Sequence, residues 1–138
     1  MLQNSNAVQS LLNSPTMNFL LPVLRKEDNL NLPNPDQIKI LESHKLIGWA
    51  YENIPAWREI LKERRFFLIQ KSMAQLAGLI KIKKAFEAAN IDFIVLKGLP
   101  LSMLLYGDYT VRQCVDIDIF TSPNNAFKAH EGCATFFL

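Results

Sequence analysis

Two aspartates one residue apart, Asp116 and Asp118, stand in the run "CVDIDIF" (114–120) among β-branched and apolar residues. Side chains alternate along a strand, so both carboxylates project from one face while Ile117 and Ile119 project from the other. At strand spacing their Cα atoms are ~6.6 Å apart, within reach of one shared divalent cation or a pair of cations. Without a cation two carboxylates on one face repel each other. No histidine or cysteine is spaced to make a softer site. Mg²⁺ suits these hard oxygens, because it takes one or two carboxylates and completes its shell with phosphate oxygens.

A second pair, Lys97-Gly98, follows the short apolar run "IDFIVL" (91–96). A residue without Cβ between a strand and a helix lets phosphate oxygens approach backbone N–H groups, and the helix start adds partial positive charge. Lys97 and Arg112 are the cations nearest to both motifs in the sequence. Together these residues describe a triphosphate–metal site. On spacing alone a structural role for the aspartates stands equally with metal binding, one carboxylate capping a turn or pairing with Arg112. Lys-Gly alone also reads as a tight strand-to-helix turn, and Arg112 alone as a surface arginine. His44 and His130 have no ligand partners at metal spacing and read as surface or packing residues.

The elements that must hold these groups follow from the change of hydrophobic period. Residues 91–96 and 114–120 are expected strands, with a short helix over Leu99–Tyr106 and a loop at "YGDYT" between them. Ser122-Pro123 opens a helix to about Ala134. Before the first strand a long amphipathic helix is expected over residues 58–89. Phe66, Ile69, Met73, Leu76 and Ile80 form its buried face, and Leu79, Ile82 and Phe86 widen it. The basic runs "KERR" (62–65) and "KIKK" (81–84) read as solvated helix faces. Asn90 suits the left-handed position that ends such a helix. Further upstream, prolines at 15, 22, 33, 35 and 55 divide the chain into short helical pieces. Asp36 is the expected N-cap of a helix from Gln37 to about Asn53. The expected organisation is a helical region over 1–60, then the long helix with the strand-bearing part over 61–138.

Composition narrows the function classes. The chain has 138 residues, is 49% hydrophobic and 20% charged, and carries a net charge of +2, so neither disorder nor a strong nucleic-acid footprint is indicated. Its start lacks a basic n-region and breaks its apolar residues with Asn, Ser and Pro. No run approaches the ~18 apolar residues of a membrane span. Two cysteines without clustered ligands argue against a disulfide framework or zinc site. A soluble, cytoplasmic protein is expected.

From about Ile91 to Phe120 the sequence resembles the uncharacterised branch of the nucleotidyltransferase superfamily, which has the DNA polymerase beta type of catalytic palm. The resemblance is carried by "VLKG", "LLY", "YTVRQ" and "VDID", and by the long helix before Asn90. It implies an α+β fold, a helical N-terminal region followed by the start of a palm with a mixed sheet and flanking helices. It implies Gly98 as the phosphate-contacting turn, Asp116 and Asp118 as metal-binding carboxylates, and a nucleotide role for Lys97 and Arg112. The implied reaction is transfer of a nucleotidyl group from a nucleoside triphosphate to an acceptor hydroxyl, with two Mg²⁺ ions. Val115 stands where small residues are usual and is expected to crowd the loop, and Lys-Gly replaces the commoner Gly-Ser. Such palms draw a third carboxylate from a later strand, whereas here only Glu131 follows Asp118. The palm is therefore expected to be truncated and the chain alone weak or inactive, with an oligomer or partner chain able to complete the sheet. Two other readings stand beside transfer: a nucleotide sensor, and an interaction module using the helical face 66–86 and the apolar end "FFL".

Overall fold

The computed structural model describes residues 9–134. The first eight residues of the N-terminal run, the Cys133 side chain and the apolar end "FFL" lie outside the described part. The class is α+β: α-helices and short 3₁₀ turns accompany a two-stranded antiparallel sheet among the described residues. The chain divides into two compact units, Met1–Lys62 and Glu63–Leu138.

The first unit contains α1 (Pro15–Arg25), α2 (Pro35–Ser43), α3 (Ile47–Asn53) and a 3₁₀ turn at Pro55–Trp57. Ser14 caps α1, and Pro22 lies inside that helix instead of ending it. The cap of α2 is Asn34, not Asp36. With Pro35 at the first helical position, the Asn34 side chain accepts from Gln37 N–H at 2.9 Å and Gln37 accepts from Asn34 N–H at 2.9 Å. The single helix expected over 37–53 breaks because Lys45 takes φ +60°. Trp57 is buried, stacks on Phe19 with ring centroids 6.2 Å apart, and donates its indole N–H to Asn31 O at 3.1 Å. His44 is exposed at the end of α2.

The second unit is built on α4 (Arg58–Ala88), within which the division between units falls. Asn90 closes the helix at φ +55°, and Ile91 N–H bonds back to Phe86 O at 2.8 Å. The chain then runs β1 (Phe93–Leu96), α5 (Gly98–Tyr106), β2 (Asp118–Thr121), a 3₁₀ turn at Pro123–Asn125 and α6 (Ala126–Ala134). Its core joins Ile82, Phe86, Ile91 and Ala129, with Phe93, Ile117 and Ile119 packed against them. Phe86 and Phe93 meet edge to face at 5.1 Å. Both strands are shorter than expected; β2 begins at Asp118, not at Cys114.

The inward face of α4 differs from the expected one. Arg65, Leu68, Ser72, Gln75, Leu79, Ile82 and Phe86 turn inward, at alternating spacings of three and four. The Phe66, Met73 and Ile80 row lies one position further on and is exposed. Both rows fit a helical period, and the purely apolar one looks the better core. The observed one wins because Arg65 finds hydrogen-bond and ion-pair partners, described below, and because Ile82 and Phe86 lie on it. Arg65 is therefore buried and not part of a solvated basic face. Met73 is 46% exposed, so Met73→Gln is expected to change unfolding free energy by no more than about 0.5 kcal/mol in a urea titration. A loss of several kcal/mol would restore the expected face.

Candidate functional site

β1 delivers the chain into an abrupt reversal at Lys97-Gly98. Lys97 has φ +57° and ψ −140°, and Gly98 has φ +50°, before α5 proceeds. Glycine adopts such a conformation freely; lysine does so under strain of about 1–3 kcal/mol. No side chain caps the start of α5.

The register of the hairpin sets the rest. Leu96 pairs with Asp118 and Ile94 with Phe120. Carried two residues on, the same register would place Gly98 opposite Asp116, and a Cβ on Gly98 would lie 3.7 Å from Asp116 O. The ladder ends at Asp118 because the reversal at Lys97 removes its partner strand. Asp116 thus lies in an irregular segment outside β2, a correction to the expected strand. Ile117 and Ile119 still pack on the core, leaving Asp118 on the opposite face of the sheet, where Ile94, Leu96 and Phe120 are exposed. Lys97 Nζ lies 3.7 Å from Asp118 Oδ2, in a pair whose side chains are 71% and 40% exposed. An ammonium already faces this carboxylate, and Asp116 is exposed with no hydrogen-bond or ion-pair partner among the described residues. Two accessible carboxylates beside a glycine turn are a donor set that suits Mg²⁺. No group of three or more His, Cys, Asp or Glu residues able to hold a metal occurs among the described residues. Val115 is 61% exposed, so its bulk does not crowd the loop as expected.

Arg112 enters through its backbone. Its N–H donates to Ser102 Oγ at 3.1 Å, and its carbonyl accepts from the buried Cys114 thiol at 3.4 Å. Arg112 as a residue is partly buried, and its side chain has no ion-pair partner among the described residues. Lys97, Gly98, Asp116 and Asp118 are thus joined by direct proximity, whereas Arg112 is tied to their neighbourhood through α5.

This loop is held by Asp108 and Ser102, which sequence reasoning passed over, and by Arg65, which it read as part of a solvated basic face. Asp108 Oδ1 accepts from Thr110 N–H at 2.6 Å and from the Thr110 hydroxyl at 2.7 Å, while Arg65 Nη2 lies 3.6 Å from Asp108 Oδ2. Ser102 donates to Asp108 O at 2.7 Å. The signal that could have found Asp108 is the Asp-x-Thr spacing in "GDYT", which lets a carboxylate bond the backbone two residues on. Burial pushes the Asp108 carboxyl up, but the two Thr110 hydrogen bonds and Arg65 outweigh it and hold it below the ordinary value of 3.8. A depressed carboxyl contributes stability that is complete above 3.8 and is lost as pH falls through its folded value. Acid unfolding of Asp108→Asn is therefore expected to show a shallower pH dependence below that value, the change being modest because Asp108 is half exposed. Parallel acid limbs for the two proteins would remove Asp108 from the account.

A cleft of about 650 Å³ opens beside Asp116, walled by Ala74, Gly78, Val115, Ile117 and Ile119, with Lys71 at its lining. The family model described as uncharacterised nucleotidyltransferase matches residues 35–132, well over half of the chain. The chain belongs to this family. The match includes the glycine turn, both aspartates and Arg112, so the nucleotidyltransferase resemblance rests on more than the short motifs. No curated protein and no solved structure gives a significant match. No helix among the described residues of this nucleotidyltransferase-family chain is long and apolar enough to cross a membrane.

Proposed function

We propose that residues 61–138 form a nucleoside-triphosphate site for metal-dependent nucleotidyl transfer to an acceptor hydroxyl, with Asp116 and Asp118 as the carboxylates for up to two Mg²⁺ ions. The observation that carries this reading is the juxtaposition at the hairpin end. Gly98 lies against the Asp116 backbone, and Lys97 Nζ stands 3.7 Å from Asp118 Oδ2. A divalent cation there supplies Lewis-acid neutralisation of polyphosphate oxygens. Gly98 lets a phosphate approach the backbone at the start of α5, where the helix dipole favours negative charge. Lys97 moves from Asp118 to a phosphate oxygen, which its exposed, flexible stem allows. Arg112 adds a fork-shaped donor set suited to phosphate. We place the protein in the cytoplasm, where nucleoside triphosphates and a reduced Cys114 coexist.

A second reading, nucleotide sensing without transfer, is favoured by one observation: the described residues offer no third metal-ligating group beside the aspartates. Calorimetric titration of the four nucleoside triphosphates and inorganic tripolyphosphate, with Mg²⁺ and with a chelator, tests the shared site. A pyrophosphate-release assay separates the readings. Mg²⁺-dependent binding with release supports transfer, and binding without release supports sensing. Absence of all binding by the folded chain would sink both.

A further inference from the structure

We infer that Ser102 and Arg65 are positioning residues that set Arg112 relative to the phosphate-holding start of α5. The inference rests on the nucleotide site proposed above. Ser102 is completely buried, and its hydroxyl both donates to Asp108 O at 2.7 Å and accepts from Arg112 N–H at 3.1 Å. It lies on α5 four residues after Gly98, one helical turn or ~6 Å along the axis. One oxygen therefore ties the helix that opens at the glycine turn to the backbone of the arginine.

Arg65 holds the other side of the same loop. Its side chain is 5% exposed, and Nη1 donates to Thr110 O at 2.8 Å while Nη2 faces Asp108. Burying a guanidinium is a poor route to stability, since apolar residues of similar volume often serve as well or better. What the fork supplies is direction: donors set at fixed angles against one carbonyl and one carboxylate. Asp108, Thr110 and Arg112 alternate along the loop, and all three are held by Arg65 or Ser102. The last of them carries the guanidinium without an ion-pair partner among the described residues. The bracket thus ends on the residue proposed to meet phosphate.

A purely structural bracket would affect folding but would not depend on the Arg112 side chain. The test is a double-mutant cycle on the whole chain, with Mg²⁺ and inorganic tripolyphosphate as the probe and thermal unfolding recorded for every variant. Ser102→Ala is expected to weaken tripolyphosphate binding about three- to tenfold, the span of one lost hydrogen bond. In an Arg112→Ala background the same change is expected to have no further effect. Arg65→Lys, which keeps the charge and loses the fork, is expected to follow the same pattern and covers the case in which Ser102→Ala fails to fold. Equal factors in both backgrounds, or full affinity in the folded single variants, would overturn the positioning role while leaving the nucleotide site standing. Loss of Mg²⁺-dependent binding in the unaltered chain would instead overturn the site and the inference with it.

Discussion

Replacing Asp116 and Asp118 together by alanine is expected to weaken Mg²⁺-dependent tripolyphosphate binding by on the order of a hundredfold or more. Each carboxylate is a charged acceptor, and interactions of that kind contribute about 1.5–3 kcal/mol apiece, so losing two exceeds the effect of any single neutral contact. The sign reverses when the cation is removed. In chelator the two carboxylates only repel polyphosphate, so the alanine variant is expected to bind slightly more tightly than the parent. This crossing separates a metal site from a general loss of structure, which would weaken binding under both conditions. Folding is little affected in either case, because Asp116 is exposed and the Lys97–Asp118 contact is largely solvated. Equal weakening with and without Mg²⁺ would reject the carboxylates as metal ligands.

Lys97→Gly is expected to raise stability and lower polyphosphate affinity at once. Lysine at φ +57° and ψ −140° carries strain of about 1–3 kcal/mol, which glycine does not. Glycine gives back about 0.5–1 kcal/mol through the greater freedom of its unfolded chain. A net gain of about 1 kcal/mol remains, or roughly 4–8 °C in Tm for a unit of this size. The ammonium is lost at the same time, and tripolyphosphate binding is expected to fall about tenfold, in line with one charge-assisted contact. Lys97→Ala provides the control: it loses the charge but keeps a Cβ in the strained conformation, so affinity falls without the gain in Tm. Strain retained at a residue whose charge is useful is the signature of a functional constraint. If Lys97→Gly left Tm unchanged, the strain argument would fail; if it left affinity unchanged, lysine would have no phosphate role.

The sequence was most informative where residue type alone restricts the backbone. Gly98 and Asn90 both take positive φ, and the short run before Lys97 is a strand. Ile117 and Ile119 face the core, as their alternation with the aspartates requires. The extent of the second strand was not readable, because the position of Asp116 depends on where its partner strand stops. That limit is set by the Lys97 reversal and not by the propensities of residues 114–117. Rotation of the long helix was also hidden. Its inward face contains Arg65, Ser72 and Gln75, and the partners of Arg65 become visible only when the loop around Asp108 is brought to it. Arg112 was legible as a nearby cation, but its attachment through Ser102 joins residues ten positions apart by a side chain with no motif of its own.

The two rows along α4 also bear on how quickly the chain can reach its native state. A 31-residue helix can form early from local contacts, but the two rows leave its roll about the axis ambiguous. The more greasy row is the wrong one. The contact that separates the rows, Arg65 with Thr110, closes across 45 positions of sequence, so settling the roll is expected to be slower than forming the helix. Phe66, Met73 and Ile80 remain exposed in the native state, so apolar pattern by itself does not choose between the rows.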